Sequence, residues 1–261
     1  MATLVKILLT PALIAAATIL ERRWGPAVGG AVAGLPLTSA PVSVFLALEQ
    51  GPAFAAAAAV GTLLGLLSQG ALCLVYSRLA QRARWWTSAA GGVVAFLGVT
   101  LIVERVSLPV WPAFALVCGL LVLTAAAIPM TATALDPARP PRWDLPVRML
   151  TATAIVLGLT TAAVVLGPTW TGLLSPFPVF ALVLGAFAHR VQGPGAASRL
   201  LQGVVLGSLA HATMFALVAR LLVAHSLVGT YAWAALGALA VNGLALAVVQ
   251  RILKPAAPPT R

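Results

Sequence analysis

The chain has 261 residues, of which 61% are hydrophobic and only 8% are charged. So apolar a composition cannot cover a water-facing surface, which excludes a soluble globular protein, and its apolar runs reach the roughly 20 residues that a membrane-spanning helix needs. The net charge of +11 comes from cations scattered through predicted loops. This pattern indicates membrane topology and attraction to anionic membrane lipids, and it argues against binding to nucleic acid.

Apolar runs between charged residues or Pro/Gly punctuation predict nine transmembrane helices. The predicted helices cover residues 2–20, 25–48, 53–77, 86–103, 107–128, 147–166, 168–189, 199–220 and 224–250. The first is interpreted as a retained span rather than a signal peptide, because the Glu21-Arg22-Arg23 cluster follows it. The sequence therefore predicts an all-α polytopic membrane protein.

Part of the chain occurs twice. Gly25-Pro26 and Gln50-Gly51-Pro52 return 142 positions later as Gly167-Pro168 and Gln192-Gly193-Pro194, and no gap is needed to align them. The matches span residues 25–79 and 167–221, and the same offset places predicted helices 1 to 4 on helices 6 to 9. The predicted parts are a first four-helix repeat at 1–105, a linker transmembrane helix at 106–130, a cytoplasmic linker at 131–146, a second four-helix repeat at 147–254, and a tail at 255–261.

The cations predict the orientation. Of the 16 Lys and Arg residues, all except Lys6, Arg105 and Arg220 fall on one side of the nine-helix path. The positive-inside rule then places the N-terminus outside and the C-terminus in the cytoplasm of a bacterial inner membrane. Because five spans separate matching helices, the two copies run in opposite directions and form an inverted 4+1+4 repeat, as in many transporters. The alternative is a parallel bundle without functional symmetry.

Prolines mark two predicted breaks in the transmembrane helices. Each proline removes a backbone donor, so carbonyls near residues 32–37 need partners from nearby hydroxyls or from a passenger. Broken helices bind substrate in transporters, although a simple kink is the alternative. The candidate substrate-binding residues at the breaks are Pro36, Thr38, Ser39, Pro41, Ser43, Ser175, Pro176 and Pro178.

One polar residue in each copy is predicted near the middle of the bilayer. Gln69 and His211 occupy equivalent positions, and each precedes an arginine, Arg78 or Arg220, by about 13 Å of helix. Both are candidate substrate-binding residues. His211 can titrate near neutral pH and is a candidate for proton coupling. The alternative is that both side chains only form interhelical hydrogen bonds.

The sequence shows no buried Asp/Glu pair, no Cys/His metal spacing and no Ser-His-Asp order. We therefore expect no enzyme activity, no cofactor and no metal site.

Glycines spaced four residues apart predict close helix packing. The pairs Gly61 and Gly65, and Gly203 and Gly207, predict that helices 3 and 8 cross at these glycines. The alternative is that they form a surface for a homodimer.

The segment from Gly172 to Val183 carries Gly-Leu, Ser-Pro, Phe-Pro and Phe-Ala-Leu elements. It resembles the GlpM family of small bacterial inner-membrane proteins, and the likeness covers residues 147–250 and, through the repeat, more faintly 1–103. In the first copy only Pro36 of the two prolines aligns. The resemblance implies that this chain fuses two copies of a four-helix unit, and it implies a link to envelope physiology rather than a particular activity.

These features predict a transporter or exporter of a small-molecule or lipid-like passenger that works by alternating access between inverted halves. Two alternatives remain. One is a passive channel, which usually needs more polar lining than this chain offers. The other is a non-transporting scaffold for envelope polysaccharide or lipid metabolism.

Overall fold

The computed structural model describes residues 2–130, 141, 143–166 and 177–253, and side chains for 10–130, 141, 143–158 and 177–247. These residues form helices and no strand. The helices are α1 (Ala2–Trp24), α2 (Pro26–Ala33), α3 (Ser39–Gln50), α4 (Pro52–Ala80), α5 (Trp85–Val103), α6 (Val110–Ala127), α7 (Asp144–Leu166), α8 (Val179–Gln192), α9 (Pro194–Leu221) and α10 (Leu227–Leu253).

Within the described residues, five helices are long and apolar enough to cross a membrane. They are α4, α5, α6, α9 and residues 227–247 of α10. This agrees with the expectation of an all-α polytopic membrane protein. The predicted second helix is divided into α2 and α3. The start of the predicted seventh helix lies outside the described residues, and its later part is α8.

Helix boundaries follow the offset found in the sequence. α1 begins at Ala2 and α7 begins at Asp144, and both contain 23 residues. α4 begins at Pro52 with 29 residues, whereas α9 begins at Pro194 with 28. The repeated sequence thus produces helices of similar length in both parts of the chain.

Three connections between consecutive helices consist of a single glycine. Gly25, Gly51 and Gly193 have φ values of 94°, 91° and 90°, a region that residues with a side chain rarely adopt. Each is followed by a proline that starts the next helix, where its missing N–H has no intrahelical partner to lose. Helices α1 and α2, α3 and α4, and α8 and α9 are therefore joined without a loop.

Helix α9 occupies the centre of the bundle. Leu200, Leu201, Val204 and Val205 are fully buried, and α9 packs against α2, α4, α6, α8 and α10. In contrast, α5, α6 and α10 expose large apolar side chains to their surroundings, as a lipid-facing surface requires. Among the polar residues of α9, Ser198 and Ser208 are fully buried, whereas Arg220 near the end of the helix is exposed.

The closest helix crossing joins α2 to α9. A Cβ atom at Gly30 would lie 2.9 Å from the Leu200 carbonyl carbon, and one at Gly203 would lie 2.9 Å from the Ala27 carbonyl carbon. The predicted crossing of helices 3 and 8 at their glycines is therefore wrong: the α9 glycines face α2, and a Cβ at Gly61 of α4 would meet nothing within 4 Å among the described residues. Glycine spacing shows that a helix can approach a partner closely, but it does not identify the partner.

Candidate functional site

The predicted break in the second helix is present at residues 34–38, between α2 and α3. Pro36 is buried within it, and a proline disfavours helical geometry for the residue before it. Pro41 does not break the chain. It lies in the first turn of α3, where backbone N–H groups have no intrahelical partner, so a proline costs little there.

His211 of α9 lies against this break. Its Nε2 is 3.0 Å from the Oγ of Ser39, the first residue of α3. The imidazole also has a hydrogen bond to the backbone of Gly34, whose own N–H is donated to Gly30. Because the Gly34 N–H is already used, its carbonyl is the group that bonds to the imidazole, and the imidazole is the donor. In a neutral ring the other nitrogen, Nε2, then accepts a hydrogen bond from the Ser39 hydroxyl. His211 thus connects the end of α2 to the start of α3.

Two other hydrogen bonds place polar groups near this bridge. The Oγ of Ser43, which is buried, lies 2.6 Å from the Tyr231 hydroxyl of α10. Gln69 of α4 donates through Nε2 to the Oγ of Ser208 on α9 at 2.7 Å. Ser208 precedes His211 by about 4.5 Å along the helix. Uncharged polar pairs therefore join α9 to α3 and to α4, and a third pair joins α3 to α10.

The other predicted site residues make no side-chain hydrogen bond to the break or lie outside the described residues. Thr38 is exposed and caps α3 without a side-chain hydrogen bond to it. Pro178 is buried and directly precedes α8, consistent with a helix start at this proline. Ser175 and Pro176 lie outside the described residues.

The described part of the chain has two shallow surface indentations of similar size. One, of about 480 Å³, lies where α9 ends and α10 begins, and the other, of about 520 Å³, lies at the end of α5. Neither is lined by a predicted site residue. Beside the break, Ser39 and Ser43 are each hydrogen-bonded to a neighbouring helix, so this conformation holds α3 against α9 and α10.

A network of buried charges was not predicted. The side chains of Glu21 on α1, Asp144 and Arg148 on α7 are at most 1% exposed. Arg148 Nη1 donates to Glu21 Oε2 at 2.6 Å, and Arg148 Nε lies 3.0 Å from Asp144 Oδ2. The expectation of no buried carboxylate pair is therefore wrong.

Further polar contacts surround the network. Gln192, the last residue of α8, donates to Glu21 Oε1 at 3.0 Å, and Arg22 Nη2 donates to Asp144 Oδ2 at 2.9 Å. The Arg148 guanidinium also lies 5.4 Å from the ring centre of Phe187. The network therefore ties α1, α7 and α8 together at one end of the bundle.

The sequence placed these charges at helix ends, where water ordinarily solvates them. Glu21 and Arg148 are 127 positions apart, so only the fold brings them together. One signal was available. The chain has just 5 acidic residues, and two of them, Glu21 and Asp144, lie within one helical turn of the ends of predicted transmembrane helices.

No cluster of three or more His, Cys, Asp or Glu side chains suited to a metal occurs in the part of the chain that the structure describes.

No protein-family model matches this chain, and neither the curated proteins nor the solved structures contain a significant match. The geometry of the interior therefore has to carry the functional argument.

Proposed function

We propose that this protein is a membrane transporter that moves a small-molecule or lipid-like passenger by alternating access. The observation that carries the proposal is the helix break at residues 34–38, which lies against the central helix α9 and is bridged by His211. An interrupted helix at membrane depth presents backbone groups that a continuous helix hides, and transporters use such groups to bind passengers.

The repeat supports the same proposal. Helix boundaries in the two parts of the chain follow one offset, and the cation distribution favours opposite orientations for the two copies. In this proposal the chain is a fused GlpM-like pair in a bacterial inner membrane, with its N-terminus outside and its C-terminus in the cytoplasm. Inverted halves can exchange conformations, which opens a central path first to one side and then to the other.

The side chains at the break indicate the chemistry of the passenger. Movement of α3 away from α9 and α10 would separate Ser39 from His211 and Ser43 from Tyr231. The path would then present hydroxyl groups, an imidazole and apolar walls. Such a lining suits a neutral or amphipathic passenger better than a strongly charged one, because it offers hydrogen bonds without a fixed counter-charge.

His211 is our proposed site for proton coupling along this path. Replacing it with Gln makes the position identical to its counterpart, Gln69, and removes the titrating group while keeping a hydrogen-bonding side chain. If transport is driven by a proton gradient through His211, the variant loses that dependence but remains folded. An unchanged dependence on the gradient would assign His211 a structural role.

A second candidate function is a non-transporting scaffold for envelope lipid or polysaccharide metabolism. The packing favours it: Ser39 and Ser43 beside the break are each hydrogen-bonded to a neighbouring helix, and α2 and α9 are in backbone contact. A scaffold has no need to open this interface.

Accessibility of Ser39 distinguishes the two functions. In vesicles of both orientations, a Ser39→Cys variant is treated with a membrane-impermeant thiol reagent. Val204→Cys, at a fully buried position of α9, is the unreactive control, and Glu49→Cys, at an exposed position, is the reactive one. The transporter predicts reaction at Ser39→Cys from at least one side.

A second variant makes this reaction informative about movement. Cysteines at Ser43 and Tyr231 are joined by a reducible bifunctional thiol reagent, which links α3 to α10 before the Ser39→Cys variant is labelled. A reagent is used because the 2.6 Å contact between the two oxygens is made by a long tyrosine side chain, which a cysteine does not reproduce. Alternating access predicts that the crosslink abolishes labelling and that reduction restores it. Absence of labelling from both sides, crosslinked or not, would reject the transporter and leave the scaffold.

A further inference from the structure

The buried charges of the Glu21–Arg148 network do not balance by themselves. Glu21, Asp144 and Arg148 are almost completely buried and sum to −1. Neutrality is restored by Arg22, whose side chain is 35% exposed and which reaches Asp144 Oδ2 at 2.9 Å. Charges removed from water are costly unless they are paired, so the network depends on a cation that also contacts solvent.

One acceptor in the network is unused. Asp144 Oδ1 is buried without a hydrogen-bond partner, whereas the guanidinium groups of Arg22 and Arg148 both lie within ion-pair distance of Oδ2. Arg148 Nε is close to Oδ2 but makes no aligned hydrogen bond, so the aligned bond of Arg148 is the one to Glu21. A buried carboxylate oxygen without a donor is costly, which makes it a ready alternative partner for the guanidinium.

We propose that Glu21 is a proton-binding site and that Arg148 changes partner when Glu21 is protonated. A hydronium ion gives its proton to Glu21 Oε2 and leaves as water, and the hydrogen bond from Arg148 Nη1 to this oxygen breaks. Arg148 keeps its charge and turns to the free Oδ1 of Asp144. The three buried groups then sum to zero, so Arg22 is no longer required and returns to solvent.

This exchange changes how the helices are held. Before protonation, Glu21 of α1 is bound to Arg148 of α7 and to Gln192 of α8. After it, the carboxyl keeps Oε1 as an acceptor for Gln192 but loses Arg148. The contact between α1 and α8 is thus retained while that between α1 and α7 weakens.

The neighbouring ionisable groups have other partners in the described structure. Helix α2 contributes no charged residue. On α8, His189 pairs with Tyr76 at 3.4 Å, and Arg190 lies over the Trp143 ring. On α1, Arg23 lies over the Trp24 ring. On α7, Asp144 already has two cations on Oδ2.

The inference goes beyond the proposed transport and does not depend on it, because proton binding and helix displacement are measured without a passenger. In purified protein in lipid nanodiscs, the infrared difference spectrum between about pH 8 and about pH 5 reports carboxyl groups that become protonated in this range. We expect a band for a buried protonated carboxyl. Glu21→Gln removes it, and Glu49→Gln, which alters an exposed carboxylate, leaves it.

A second measurement keeps Glu21 in place and so remains decisive if Glu21→Gln fails to fold. Spin labels are attached to cysteines at the exposed positions Arg23 on α1 and Leu150 on α7, in a chain with Cys118 replaced by Ser. We expect the distance between the labels to increase on acidification, with the midpoint of the carboxyl band. An unchanged distance, or a band that persists in folded Glu21→Gln, would overturn the proposal.

Discussion

Replacement of Gly30 by Ala tests the packing of α2 against α9. The added Cβ would lie 2.9 Å from both the carbonyl carbon of Leu200 and the backbone nitrogen of Val204, and closer still to the Leu200 carbonyl oxygen. Ordinary contacts are 3.4–4 Å, so the helices have to separate by at least 0.5 Å (3.4 minus 2.9). Neither contacting group belongs to a flexible side chain. Overpacking of this kind costs about 1–3 kcal/mol, and backbone contact places Gly30→Ala near the upper end.

The matched control is Gly61→Ala on α4, where the new methyl group meets nothing within 4 Å among the described residues. Alanine favours helix over glycine by roughly 0.5–1 kcal/mol, so this variant should be as stable as the parent or slightly more stable. Thermal unfolding in detergent, followed by size-exclusion chromatography, should place Gly30→Ala about 6–12 °C below the parent. Equal midpoints for Gly30→Ala and Gly61→Ala would show that α2 and α9 do not cross at these glycines.

Three further outcomes are expected. Tyr231→Phe removes the 2.6 Å hydrogen bond to a buried serine and should lower the free energy of unfolding by about 0.6 kcal/mol, measured by thermal unfolding; no change would mean that the bond is not formed. Arg148→Met leaves buried carboxylates unpaired and should lower the free energy of unfolding by about 3–5 kcal/mol. The control Arg78→Met, at an exposed helix end, should lower it by under about 1 kcal/mol, and similar losses for the two variants would refute the buried network. Cysteines at Glu49 and Arg82 should react with an impermeant reagent from opposite sides of intact membranes, and reaction from one side only would reject the proposed topology.

Much of the helical framework was predictable, because apolar length and proline position have local effects. The predicted helix at 86–103 differs by one residue from α5, and the predicted break near Pro36 separates α2 from α3. Proline acts through its own ring and its missing N–H, so the position of such a break can be recognised without knowledge of the fold.

The partners of polar and small residues were not predictable in this way. His211 was expected near the middle of the membrane, but its bonds to Ser39 and Gly34 depend on how α9 packs against the break. The glycines of α9 face α2 rather than α4 for the same reason. Glu21 and Asp144 were missed because charge at a helix end is solvated or buried according to the neighbouring helices, which a local pattern does not specify.

The glycine-proline connections at Gly25, Gly51 and Gly193 also determine where the bundle can bend. Because each connection is a single glycine followed by a proline with a fixed φ, we expect each pair of joined helices to move together as one lever. We expect flexing at the longer connections of the described chain, such as residues 34–38, 81–84, 104–109 and 222–226, which leave helical geometry for several residues. The first of these pivots is the one bridged by His211, and it lies between two levers, α1–α2 and α3–α4. The His211 imidazole therefore lies at the point where a small rotation of the backbone would produce a large displacement at the far ends of both helix pairs.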